Sequence, residues 1–235
     1  MKPSNYSLVL KMKVVIRVGG SVIASPMNPT LMKEYAKVIQ RLRGQGHKLA
    51  VIVGGGEPAR QFIQIAKEIG LTEPEQDEAA ISVSRVLAQI LAMKLGGLKW
   101  KEIPTSVWVA TRTLEERGIV VMGGLKPGMT TDTVAVLLAS KINADLIVKA
   151  TDQEGVYTKD PKRYADAEKL DNLTFDELDH LMEEDRHKAG IHQIIDPEAL
   201  RILKKNRIRT MVVNGFKPEN VVAAVRGEKI GTTII

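Results

Sequence analysis

Short apolar runs alternate with longer stretches of helical spacing along the whole chain. Lys13 to Val18, Lys48 to Val53, Ile119 to Met122, Leu146 to Lys149 and Thr210 to Val213 are rich in β-branched residues, as strands buried on both faces are. Between them, Pro29 to Leu42 sets Leu31, Tyr35, Val38, Ile39 and Leu42 on one helical face. Pro58, at a favoured first helical position, opens a helix that Gly70 closes. Asp77 to Leu95 predicts a longer helix with Ile81, Val83, Val86, Leu87, Ile90 and Leu91 on its buried side. Leu114 to Arg117 reads as the end of a short helix, and Thr131 to Lys141, Phe175 to Glu183, Pro197 to Lys205 and Pro218 to Val225 as further helices. Pro104 to Val109 fits neither pattern, and Gly231 to Ile235 forms a short apolar end. Alternation of this kind predicts right-handed crossovers and a mostly parallel sheet with helices on both faces. Ligands on such sheets bind at the carboxyl ends of the strands.

Glycine-bearing turns follow three of the apolar runs, at those carboxyl ends: Val18-Gly19-Gly20-Ser21, Val53-Gly54-Gly55-Gly56, and Met122-Gly123-Gly124-Leu125-Lys126-Pro127-Gly128-Met129-Thr130-Thr131-Asp132. Glycine permits close backbone approach, and the helix behind each turn offers unpaired N–H groups, so each is a candidate anion site. Three together point to one or two ligands that carry several phosphates.

Composition narrows the classes that remain. A chain of 235 residues, 44% hydrophobic, can bury one substantial core, and no repeat or linker divides residues 1–235. Without cysteine there is no disulfide framework, thiolate nucleophile or thiolate metal site, and the four histidines do not cluster with metal-ligand spacing. Met1 to Lys11 lacks the apolar core of a signal peptide and no window has the length of an apolar membrane span, so the expectation is a soluble, cytoplasmic protein with no membrane partner. The net charge of +6 is spread along the chain and aromatics make up only 4%, which argues against a nucleic-acid partner. Small anionic substrates account for the same charge.

Several residues have both a chemical and a plain structural reading. Gly54 to Ala59 satisfies GxGxxA, but the following acidic residues, Glu73, Glu75, Asp77 and Glu78, do not end a strand as a dinucleotide site requires. No GxxxxGK[ST] run exists, so phosphates must be held by other means. Arg60, in the first turn of its helix, either forks onto a phosphate or is solvated or paired with Glu57. Asp77 reads as a helix N-cap, with ribose binding as the alternative. Thr130-Thr131-Asp132 suits a helix start, yet its loop is longer than a cap needs, which favours an acceptor site in which Asp132 orients cations. Arg17 and Lys149 stand at two ligand-facing strand ends, where they either snorkel at the sheet margin or stabilise phosphoryl charge.

Taken in order, these segments resemble the amino-acid kinase family, and within it the UMP kinases of archaeal type. Lys149 to Pro161, Lys188-Ala189-Gly190, Asp196-Pro197 and Arg226 to Ile234 extend the resemblance from about Lys13 to the C-terminus. It implies a three-layer αβα sandwich with a mainly parallel central sheet, an acceptor-binding part over about 13–145 and an ATP-binding part over about 146–235. It implies transfer of the γ-phosphoryl of ATP to UMP with Mg²⁺ in attendance, and a homo-oligomer, commonly a hexamer built as a trimer of dimers. Arg17 and Asp132 would be catalytic, the arginine neutralising charge and the aspartate organising cations. Gly55, Asp77, Leu125, Lys126, Pro127, Gly128, Met129, Thr130 and Thr131 would bind UMP. Gly20, Ser21, Gly56, Arg60, Thr151, Asp152, Tyr157 and Asp160 would bind ATP. The same fold also implies alternatives, a molybdate or tungstate store or a kinase with another acceptor. This chain departs from the family at Arg17, where lysine is common, at Ala80 and Leu87, where glycine and asparagine are usual, and at Lys126 in the acceptor loop.

Overall fold

The computed structural model describes residues 10–96, 102–186 and 194–235. Its first half runs β1 (Lys13–Val18), α1 (Gly20–Ile23), α2 (Pro29–Gly44), β2 (Lys48–Val53), α3 (Gly56–Glu68), α4 (Glu73–Gly96), α5 (Val107–Arg117), β3 (Ile119–Met122) and α6 (Thr131–Ile142). The second half continues with β4 (Leu146–Thr151), β5 (Val156–Tyr157), β6 (Lys169–Leu170), β7 (Asn172–Leu173), α7 (Phe175–Arg186), α8 (Pro197–Asn206), β8 (Thr210–Asn214), α9 (Glu219–Val225) and β9 (Thr232–Ile234). The main sheet has the strand order β3-β2-β1-β4-β8-β9-β7. Its first five strands are parallel, and β9 enters antiparallel to β8.

Side-chain alternation divides the core between the two faces of this sheet. Val14, Ile16 and Val18 of β1 pack in the layer that holds α2, α4 and α9. Val15 and Ile147 face the opposite layer, with Ala110 and Leu114 of α5, Val134 to Leu138 of α6, and Leu200 and Leu203 of α8. The result is the expected αβα sandwich. Each Val, Leu or Ile so buried contributes about 1.5–3 kcal/mol relative to exposure.

Strand order also locates the ligand crevice. From β1 the chain moves outward to β2 and β3; it then returns past β1 to β4 and moves the other way to β8. The switch point therefore lies between the carboxyl ends of β1 and β4, where open α/β sheets bind ligands.

Local chemistry explains where the elements depart from the sequence reading. The long helix begins at Glu73 instead of Asp77, where Glu75 reaches back over its start: the Thr72 N–H and hydroxyl donate to Glu75 Oε2 at 2.8 and 2.7 Å. The ambiguous stretch from Pro104 resolves into α5, whose start is capped by Ser106 Oγ accepting from Val109 N at 3.2 Å and whose end is set by Gly118 at φ 70°. The irregular stretch from Ala150 to Thr174 contains the β5–β6 antiparallel pair and β7, which joins the sheet through β9. Among the described helices, α4 has the length and apolar content of a membrane span, but Ile81, Leu87, Ala88, Leu91 and Ala92 are buried in this fold. Tyr6, Lys188-Ala189-Gly190, His187 and His192 lie outside the described residues.

Candidate functional site

Two cations and one carboxylate meet at the switch point. Arg17 and Lys149 are direct register partners on β1 and β4, so their side chains leave the sheet on the same face, toward α6. Asp132, in the first turn of α6, reaches both: its Oδ1 lies 2.8 Å from Arg17 Nε and its Oδ2 accepts from Lys149 Nζ. The Nε–Oδ1 approach is out of line for a hydrogen bond and acts as a charge contact. Arg17 Nη2 also donates to Thr131 Oγ1 at 3.1 Å. Both cations are therefore committed to the first turn of α6, and neither snorkels at the sheet margin.

Burial and charge pull against each other here. Burial pushes the Asp132 carboxyl up, but the charges of Arg17 and Lys149 and the Lys149 hydrogen bond outweigh it and hold the group below the usual carboxylate range. Burial pushes the Lys149 ammonium down and Arg17 adds to that push, so the group stays below the ordinary lysine value although Asp132 opposes the shift. Asp132 is thus an ionised tether between cations and is unsuited to act as a base.

A cleft of about 220 Å³ opens from this triad, lined also by Ser21, Thr151, Asp152 and Tyr157, all expected at an ATP site. Gln153, Gly155, Lys159, Ile194 and Val212 complete its wall. Asp152 bonds Lys162 Nζ at 2.9 Å, which ties the β5–β6 segment to the cleft edge. Asp160 plays a different part: its Oδ1 accepts from Lys162 N at 2.9 Å and its carbonyl from Tyr164 N at 2.9 Å, so it shapes the turn beyond Tyr157.

The first two glycine turns are interlocked. A Cβ on Gly20 would stand 2.0 Å from Gly56 N, and Gly56, at φ +62°, would place its own Cβ 2.4 Å from Gly20 O. Glycine is needed there so that one turn can rest on the other, before any ligand is considered. Ser25 braces the contact, its Oγ accepting from Glu57 N at 2.9 Å and from Arg60 Nη2 at 3.3 Å. Arg60 is therefore directed to Ser25; among the described residues it forms no ion pair with Glu57. Gly55 lies at the start of α3 and accepts from Ala59 N at 3.4 Å.

The third turn is held by α4. Asp77 is not a cap: it sits inside α4, and its Oδ2 accepts from Gly128 N at 2.7 Å. Ser84 Oγ accepts from Gly124 N at 2.8 Å, while Arg85 donates to the carbonyls of Gly124 at 3.0 Å and Leu125 at 2.7 Å. Lys126 is exposed, Pro127 is half-buried, and Leu125 and Met129 pack partly against the core. Thr130 is the N-cap of α6, accepting from Asp132 N at 3.1 Å and Thr133 N at 3.2 Å. The cap reading of this segment is thus met by Thr130. Ser84 and Arg85 were not singled out by sequence, since a serine and an arginine on an amphipathic helix carry no signal until the loop they hold is in place.

A comparison with known proteins agrees with this geometry. Residues 12–214 match the model of the amino acid kinase family. A uridylate kinase of Methanothermobacter thermautotrophicus is 40% identical over 225 residues, covering 95% of this chain and 99% of that protein. A uridylate kinase of Methanocaldococcus jannaschii is also 40% identical, over the same shares of the two chains. The crystal structure of uridylate kinase from Archaeoglobus fulgidus superposes with a TM-score of 0.86 at 37% identity, covering 95% of this chain and all of that one.

Proposed function

This chain belongs to the amino acid kinase family, and we propose that within it the protein is a uridylate kinase, transferring the γ-phosphoryl group of ATP to the phosphate of UMP. The observation that carries the chemistry is the pair of cations at the ends of β1 and β4, held by one carboxylate and open to the cleft. In the reaction an ionised oxygen of the UMP phosphate attacks the γ-phosphorus. The bond from that phosphorus to the β–γ bridging oxygen breaks, and ADP leaves with the electron pair. The attacking oxygen carries no proton, so no general base is needed, and positioning with charge neutralisation supplies most of the rate.

Arg17 and Lys149 would meet the charge that develops on the transferred group, and Asp132 would fix the spacing between them. Ser21, Thr151, Asp152 and Tyr157 support an ATP site in the cleft, with Gly20, Gly56 and Arg60 at the junction of the two nucleotides. The loop from Leu125 to Thr131, held by Asp77, supports a UMP site beside it. The described residues include no group of three carboxylates or histidines able to hold a resident ion, and Asp132 is already engaged by two cations. They do not fit a resident Mg²⁺; the ion would arrive on the ATP phosphates, where it keeps several waters.

The reading includes a cytoplasmic homo-oligomer, a hexamer assembled as a trimer of dimers. Phe62 and Ile65 of α3 and Ile69 just beyond it are 52, 53 and 69% exposed, and Val86 and Ile90 of α4, expected on the buried side of that helix, are exposed as well, which supports subunit contacts through these two helices. Light scattering on the wild type and on Ile65→Asp tests this point, with a fall in mass expected for the variant. The activity is tested by ADP release with UMP, CMP, carboxylates and isoprenoid phosphates as acceptors. UMP is expected to be preferred, and Lys126→Ala is expected to change the UMP-to-CMP ratio. Equal or faster release with a carboxylate acceptor would assign the chain to another branch of the family.

A further inference from the structure

Three successive residues at the start of α6 are gripped by three different parts of the fold. Thr131 takes Arg17, and Asp132 takes Arg17 and Lys149. Thr130 donates its hydroxyl to Asp196, which stands before α8. Asp196 also receives the Thr133 hydroxyl on both carboxylate oxygens, at 2.8 and 2.9 Å, and the backbone N–H of Ala199 at 2.8 Å as the N-cap of α8. One carboxylate therefore joins the N-termini of two helices, one carrying the acceptor loop and the other following Ile194 of the cleft wall.

A cap for α8 needs only the bond to Ala199 N, which serine would supply as well. The two threonine hydroxyls are additional, and they bind the very turn that aims Asp132. We propose that Asp196 is a positioning residue for phosphoryl transfer: it clamps the first turn of α6 to α8 and so fixes Asp132 between Arg17 and Lys149. This rests on the phosphotransferase reading above. The groups that face Lys149 are Arg17 from β1, Asp132 from α6 and the charge of Asp196 from the start of α8, which favours the ammonium form.

Asp196→Ser keeps a good cap and is too short to bridge, so it separates the two roles. The expected result is a folded protein of near wild-type melting temperature whose kcat falls by about tenfold or more, because displacement of a positioned group is felt strongly in the rate. KM for ATP and for UMP should each change by less than about threefold, the signature of an interaction made in the transition state. The alkaline limb of kcat should move to lower pH, since Lys149 loses a neighbouring negative charge. Thr133→Val, which leaves the cap and the charge in place, should show a smaller loss of the same kind, and Thr133→Ser should restore the rate. A folded Asp196→Ser with kcat within about twofold of wild type and an unmoved pH profile would overturn the proposal. If that variant does not fold, a Thr133→Val enzyme with unchanged kcat overturns it instead. Absence of UMP-dependent ADP release in the wild type would strike the activity itself, a result distinct from either.

Discussion

Asp132→Asn keeps the shape of the side chain that joins Arg17 to Lys149 and removes its charge. The three side chains are only 17% (Arg17), 13% (Asp132) and 9% (Lys149) exposed, so solvent screens the change weakly. Taking one partner from a buried ion pair costs about 3–5 kcal/mol. Here a single carboxylate serves two cations, which then face each other uncompensated, so the upper part of that range is expected. Against a total stability of about 5–15 kcal/mol the loss is large.

The effect depends on pH in a defined way. The Asp132 carboxyl is held low in the fold, so its stabilisation is complete above the unfolded carboxylate range near 3.9 and is lost as pH falls through the folded value. The Lys149 ammonium is also held low, so its burial penalty is complete at neutral pH and lifts as pH rises toward about 10.4, the unfolded lysine value. The stability gap between wild type and Asp132→Asn should therefore be widest near neutral pH and narrow toward both extremes, more completely in acid, because Arg17 keeps its charge in alkali. Urea unfolding followed by circular dichroism at fixed protein concentration measures the gap. A gap below about 1 kcal/mol at neutral pH, or one independent of pH, would refute the account of the triad.

Other expectations follow from the same contacts. Arg17→Ala should lower kcat by about 10²–10³-fold with both nucleotides saturating, the scale of losing a charge-stabilising donor, and steady-state kinetics will show whether it does. Gly20→Ala should fail to fold or lose its Tm transition, because its Cβ would lie 2.0 Å from Gly56 N; Gly44→Ala, with nothing within 4 Å, is the control. Asp77→Ala frees Gly128 N, and should raise KM for UMP while leaving KM for ATP unchanged, as substrate titrations can determine.

Much of the fold was legible because the parallel strands are buried on both faces and read as unbroken apolar runs. Arg17 and Lys149 stood out as charges inside such runs, and their exposure to the switch point follows from strand order. What was hidden depends on partners distant in the chain. Asp77 looked like a cap because its real partner, Gly128, lies 51 residues on. Ser84, Arg85 and Asp196 act on loops that fold against them only in three dimensions, and their local sequence suits a helix surface or a cap equally well. The β5–β6 pair leaves no mark in the sequence, because strands two residues long carry no periodicity. The glycine turns suggest close approach to a ligand, but at Gly20 and Gly56 the group that comes close is the other turn.

The central claim, that this site moves a phosphoryl group from ATP to UMP, is tested most directly by ³¹P NMR of the wild-type protein with both nucleotides and Mg²⁺. Signals of UDP and ADP should grow together in equal amounts, with no inorganic phosphate. ADP and free phosphate appearing without UDP, or no turnover at all, would contradict it.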